Sequence, residues 1–214
     1  MITKHRAAPP IAVLACACAL LVSSSALAEG EPEPKPERRY GFVLGVAGGL
    51  SLGNAVGNPT AQAERYDSAH TTDTGIALGY RATPYLGGAL TDWFTFGLGG
   101  SYGVMYGSST QTTVGLFLFR IETFPLYGQG GIYRDLGVNL DFGAGATSIK
   151  NKANGAELAS SGVASTLGIG VFWETWRLGP IAVGPSVGYQ HNWSDWFARN
   201  DLTLGIKATF YGGP

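Results

Sequence analysis

Residues 189–196 read Tyr-Gln-His-Asn-Trp-Ser-Asp-Trp, which gathers a potential base (His191), a potential nucleophile (Ser194) and a carboxylate (Asp195) in one short stretch. Nucleophilic catalysis needs the base within hydrogen-bond reach of the hydroxyl, and a third group to orient the base. The spacing here, with Asn192 and Trp193 between base and nucleophile, assigns none of those roles, and the stretch reads as a hydrogen-bonding rim loop. Residues 97–103, Gly-Leu-Gly-Gly-Ser-Tyr-Gly, invite a phosphate-loop reading. That reading fails because Tyr102 stands where the last glycine of the fingerprint would fall, and no helical pattern follows. Of the three histidines, His5 lies near the start of the chain and His70 is alone in a polar stretch, so no metal-ligand set is expected. The expectation is a non-enzymatic protein with no cofactor and no metal.

The composition says what kind of scaffold carries these residues. Only 14% of the chain is charged, where a soluble domain averages about 25%, while glycine reaches 33 residues and aromatics 12%. Residues 1–28 form a secretory signal peptide: Lys4 and Arg6 are the basic region, Ile11 to Val22 is apolar, and Ala26-Leu27-Ala28 is the cleavage site. Val13-Leu14-Ala15-Cys16 loosely resembles a lipoprotein cleavage box, but cutting there would leave a very short apolar region. Both cysteines, Cys16 and Cys18, fall inside the signal, so the exported chain has no disulfide. Setting Lys4 and Arg6 aside leaves 12 basic against 15 acidic residues, a balance of −3, which gives no basic footprint for nucleic acid. Residues 29–39, with prolines at 32, 34 and 36 among charges, form a Pro/Glu-rich linker, either a semi-rigid tether or an exposed tail.

From residue 40 onward the pattern has a period of two, which is the period of a strand. Tyr40, Phe42, Leu44, Val46, Leu50 and Leu52 alternate with Gly41, Gly45, Ala47, Gly49, Ser51 and Gly53. The same alternation recurs at 75–90, 93–107, 135–147, 162–175, 181–192 and 201–211. Residues 112–127 are strand-like with two open phases: either Val114, Leu116 and Leu118 share the bulky face, or Phe117, Phe119 and Ile121 do. That makes eight strands. Each is long enough to cross a bilayer at a tilt, for which ~9–11 residues suffice. Segments 54–72, 107–111, 149–160 and 192–200 read as longer or polar loops; Thr91-Asp92 and residues 177–180 read as tight turns, with 128–134 intermediate.

The small-residue face decides which side meets lipid. In a soluble barrel the second face would be charged, but here it is Gly, Ala, Ser and Thr. The few charges on it, Arg81, Asp141, Glu174 and Lys207, are therefore barrel-interior charges. A basic residue turned to lipid near the midplane would cost roughly 2–4 kcal/mol. Tyr40, Trp93, Trp173, Trp176, Trp193, Trp196 and Tyr211 fall towards strand ends, as interfacial girdles would. The fold class is all-β: an eight-stranded antiparallel up-and-down transmembrane β-barrel over residues 40–214.

In these features residues 40–211 resemble the small eight-stranded outer-membrane barrels of Gram-negative envelopes, the OmpA-like, OmpX-like and OmpW-like proteins. Residues 203–210, Thr-Leu-Gly-Ile-Lys-Ala-Thr-Phe, look like that family's C-terminal assembly signal, carried by Thr203, Gly205, Ala208 and Phe210, although this chain continues past the aromatic residue. The resemblance implies location in the cell outer membrane, contact with outer-membrane lipid and lipopolysaccharide, and recognition by the outer-membrane assembly machinery. It implies a structural, surface-interaction or permeability role, with a narrow solute pore as the alternative. Some such barrels are lipid A deacylases that use a His-x-Ser-Asn arrangement, which His191-Asn192-Trp193-Ser194 does not match.

Overall fold

The computed structural model describes residues 38–61, 63–129 and 131–213; the expected signal peptide and all of the Pro/Glu-rich linker before Arg38 lie outside the described residues. Eight long strands carry the fold: β1 (Gly41–Gly57), β2 (Ala77–Thr91), β3 (Phe94–Tyr106), β4 (Thr110–Thr123), β5 (Leu136–Asn151), β6 (Ala164–Trp173), β7 (Ile181–Ser194) and β8 (Phe197–Gly212). Each pairs antiparallel with its neighbours in sequence. β8 returns to β1, from Phe42↔Gly212 to Gly57↔Phe197, and closes the ring. Closure gives every long strand a partner on both sides, the condition a sheet must meet to satisfy its backbone in hydrocarbon. Short pieces at Thr72–Asp73, Glu157–Ser160 and Trp176–Leu178 extend the sheet at its rims.

The bulky residues face outward. On β5, Leu140 and Phe142 are 37% and 41% exposed, whereas Asp141 between them is 8% exposed. Leu50, Leu204, Leu78 and Phe96 continue the exposed apolar belt around β1, β8, β2 and β3. Moving that belt out of water and into acyl chains is favourable, because it removes a large apolar surface from water. The barrel therefore presents a hydrocarbon-facing wall around a polar interior.

The unsettled phase of β4 resolves with Val114, Leu116 and Leu118 buried and Phe117 and Phe119 exposed. No bulge switches the phase: the β4–β5 register runs unbroken from Thr110↔Asn151 to Thr123↔Val138. Arg120 and Glu122 share the inward face with those aliphatic residues.

All four expected loops shorten: β1 reaches Gly57 in 54–72, and β5 reaches Asn151 in 149–160, where Glu157–Ser160 also pairs as a strand. Residues 192–200 are not a loop, because β7 runs to Ser194 and β8 starts at Phe197, leaving a turn at Asp195 and Trp196. Residues 107–111 shrink to a link at 107–109. Strands that project past the bilayer into water carry polar residues without ceasing to pair, so polarity alone mimics a loop there. The rim that holds both described chain ends also carries the turn at 92–93 and links at 124–135 and 174–180. The link at 124–135 contains two 3-10 turns, Tyr127–Gln129 and Gly131–Asp135. Connections 58–76 and 152–163 belong to the opposite rim, with 107–109 and 195–196.

Glycine lets the closing seam form. Gly49 and Gly205 face each other across β1 and β8. A Cβ on Gly205 would lie 2.0 Å from the Gly48 carbonyl oxygen, closer than any side chain tolerates.

Candidate functional site

The inward face builds a charge network that fills the barrel. At the rim shared by the chain ends, Arg39 is fully buried although it closes the expected linker segment. Its Nη2 lies 2.7 Å from Asp135 Oδ1, its Nε donates to Glu174 Oε2 at 3.1 Å, and its Nη1 donates to the Asp92 carbonyl at 3.1 Å. The guanidinium stacks 3.4 Å above the Phe124 ring. Asp92 Oδ1 also accepts the backbone N–H groups of Arg38 and Arg39. Asp92, Asp135 and Glu174 belong to three different connections of this rim, so one arginine ties all three to the start of β1. Arg38 pairs with Asp135, Arg134 with Asp92, and Arg177 with Glu174. Such density of charge away from water is tolerable only because each carboxylate has more than one donor.

One layer higher, Lys207 Nζ sits 3.0 Å from Glu122 Oε2 and 3.5 Å from Glu174 Oε1, above the Phe172 ring. The hydroxyl of Tyr211 donates to Glu174 Oε1. In the middle of the barrel Arg120 meets Asp141 through two bonds of 2.7 Å, and Arg81 and Arg199 share Asp201. Between these groups lies a cavity of about 60 Å³, lined among others by Arg81, Thr83, Arg120, Asn139, Asp141 and Gln190. A cavity of that size holds only a few water molecules.

Of the four charges named from the sequence, Arg81, Asp141 and Lys207 are buried on the inward face of their strands, and Glu174 is buried in the connection just past β6. Sequence reasoning missed their partners. Arg199 and Asp201 are hidden in the sequence because residues 192–200 read as a polar loop and Asp201 stands at the start of the next strand. Arg120 and Glu122 fell in the strand of open phase. The cost of a charge in lipid would have set that phase from these two residues alone.

The aromatic expectation needs two corrections, at Tyr211 and Trp196. Tyr40, Trp93, Trp176 and Trp193 are exposed near strand ends, as interfacial rings would be. Tyr211 is buried inside the barrel, because it shares the parity of Lys207 and Thr209 on β8. Trp196 packs beside Ala55, Ile149, Ala159 and Phe197 under the loops and donates to the Ser160 carbonyl at 2.8 Å.

His191 and Ser194 have opposite parity on β7. Along β7 the even positions Gln190 and Asn192 are buried, so His191 faces outward and Ser194 has inward parity. His191 Nδ1 instead meets Asn200 Oδ1 at 2.8 Å, and its ring stacks on Trp193 with centroids 5.2 Å apart. Tyr189 donates to the same Asn200 oxygen at 2.8 Å, while Asn200 Nδ2 donates to Asn54 Oδ1 at 3.3 Å. These residues make a polar row across the outer wall of β7, β8 and β1, near the rim opposite the chain ends. Thr203 and Gly205 of the expected assembly signal have inward parity, and Ala208 and Phe210 have outward parity.

No protein-family profile and no curated protein matches the chain. Among solved structures it is similar to the attachment invasion locus protein Ail of Yersinia pestis (10% identity, TM-score 0.46, covering 80% of this chain and 99% of that one). It is also similar to Neisserial surface protein A (10%, 0.44, 78% and 95%). A third is the outer membrane protein OprG of Pseudomonas aeruginosa (9%, 0.42, 81% and 98%). By its own hydrogen-bond ring the chain is a closed eight-stranded antiparallel barrel with a lipid-facing wall.

Proposed function

We propose that this chain is an integral protein of the outer membrane that acts through its wall and loop surface, with a sealed interior and no catalytic step. The observation that carries the reading is the Arg39 clamp, which draws three rim connections over one mouth of a lumen already filled by paired charges. An eight-stranded barrel has room for side chains and little else. The absence of catalysis is supported by the opposite facing of His191 and Ser194. Outer-membrane lipid, including lipopolysaccharide, is the surrounding partner, with the His191, Asn200 and Asn54 row at the depth where polar headgroups begin. Thr203, Gly205, Ala208 and Phe210 serve as the signal read by the assembly machinery.

Conductance in planar bilayers tests this reading. The purified protein gives no steady open level; a steady level would contradict it in favour of a narrow solute pore.

A further inference from the structure

A cleft of about 390 Å³ lies on the outer wall, where β7, β8, β1 and the segment leading into β2 meet. That volume is within the ~300–1,000 Å³ of small-molecule sites. Its floor is two cross-strand pairs of β1 and β8, Asn54 opposite Asn200 and Leu52 opposite Leu202. Tyr189 bounds it on β7, and Asp73 and Ile76 bound it on the other side. One end is therefore polar and the other apolar. The apolar end runs on into the exposed belt, where Leu50 and Leu204 are the next outward pair.

The polar end offers both kinds of hydrogen-bonding group. Asn200 Oδ1 accepts from the Tyr189 hydroxyl at 2.8 Å and meets His191 Nδ1 at 2.8 Å, which occupies its two lone pairs. Asn200 Nδ2 directs one N–H at Asn54 Oδ1, 3.3 Å away. A second Asn200 N–H and the Asn54 amide N–H groups are left to donate. Asp73 is exposed, and with Oδ1 accepting the Gly75 N–H at 2.8 Å its carboxylate can still accept through Oδ2. Among the described residues no lysine or arginine lines the cleft. A phosphate only accepts, and would meet the Asp73 charge with no cation beside it. An ammonium only donates, and would leave the amide N–H groups unused. A hydroxyl does both.

We propose that this cleft binds the sugar headgroup of a membrane glycolipid, with hydroxyls on Asn54, Asn200 and Asp73 and an acyl chain along Leu52, Leu202 and Leu204. The unbroken apolar strip beside the polar end selects a lipid over a free sugar. The inference rests on the reading of the wall as lipid-facing and adds a preferred lipid to it.

The test uses the exported chain in nanodiscs of phosphatidylcholine, doped in turn with glucosyl diacylglycerol, with diacylglycerol of the same chains and with phosphatidylethanolamine. The side-chain amide signals of Asn54 and Asn200 in NMR shift saturably with the glycolipid alone. Methyl glucoside in solution, at equal concentration, does not reproduce the shift. Asn200→Ala weakens the apparent affinity about three- to tenfold, the effect of one or two lost hydrogen bonds. The lipid comparison needs no variant, so it decides the question even if Asn200→Ala does not fold. Equal shifts with glycolipid and diacylglycerol, a stronger response to phosphatidylethanolamine, or saturation by methyl glucoside overturns the proposal. Contacts between the Leu140 methyl groups and lipid chains, read in the same samples, check the wall itself. Their loss contradicts the lipid-facing reading, whereas their presence without a glycolipid response contradicts the cleft alone.

Discussion

Arg120 and Asp141 stand directly opposite each other on β4 and β5 and close a two-pronged ion pair inside the barrel, Nε to Oδ1 and Nη2 to Oδ2, both at 2.7 Å. The pairing fixes the inward phase of both strands. It also makes each partner costly to remove alone. Asp141→Ala leaves a buried guanidinium without its principal counter-charge and lowers unfolding stability by about 3–5 kcal/mol. Arg120→Met combined with Asp141→Leu costs less than the single change, because no charge is stranded. Urea unfolding in detergent micelles measures both; equal losses would contradict the pairing.

Arg39 and Arg38 are neighbours with different weight. Arg39 is fully buried among Asp92, Asp135 and Glu174, whereas the Arg38 side chain is 39% exposed and, among the described residues, touches only the Asp135 carboxylate. Arg39→Ala lowers stability by about 3–5 kcal/mol, as removal of one member of a buried pair does. Arg38→Ala costs about 1 kcal/mol or less, in the range of a solvated pair. The same unfolding series reads the contrast, and equal effects would place Arg39 outside the barrel end.

Gly205→Val wedges a side chain into the closing seam, where a Cβ already lies 2.0 Å from the Gly48 carbonyl oxygen. It costs at least about 1–3 kcal/mol as overpacking and reduces the heat-modifiable fraction. Gly115→Ala is the control: its Cβ meets nothing within 4 Å, and the folded fraction is unchanged.

In the loop joining β1 and β2, Asp67 Oδ1 accepts the Ala69 backbone N–H at 3.0 Å at the start of a 3-10 turn, Ser68–His70. That bond holds the Asp67 carboxyl below the usual aspartate range; desolvation opposes it, and the contact with His70 lowers it further. A depressed carboxyl contributes order that is complete above its unfolded value and is lost as pH falls through the lower folded one. The Ala69 amide signal in NMR of the micellar protein therefore keeps its folded position to below the ordinary aspartate titration, then shifts. In Asp67→Asn that acid transition is absent.

Strand number, closure and the lipid-facing side were legible because bulky and minute residues alternate from Gly41 to Tyr211, and a strand turns consecutive side chains to opposite faces. Strand ends were harder to read. Towards the rim opposite the chain ends the outward face turns polar, as at His191 and Asn200, and the contrast that marks a strand disappears while its pairing continues. Tyr211 shows a related limit: an aromatic near a strand end suggests a girdle, but its parity sends it inward to Glu174. The partners of the interior charges come from strands remote in sequence, such as Arg81 with Asp201, and only the closed ring brings them together.

The orientation of β5 carries the whole account. The two cysteines, Cys16 and Cys18, lie in the expected signal peptide, so single cysteines at positions 139–142 of the exported chain can each carry a spin label without interference. In lipid bilayers, labels at 140 and 142 should relax with dissolved oxygen and be shielded from a water-soluble nickel chelate, while labels at 139 and 141 lose the oxygen effect. The reverse pattern, with oxygen reaching 139 and 141 in place of 140 and 142, would contradict a wall that turns its bulky side chains to lipid.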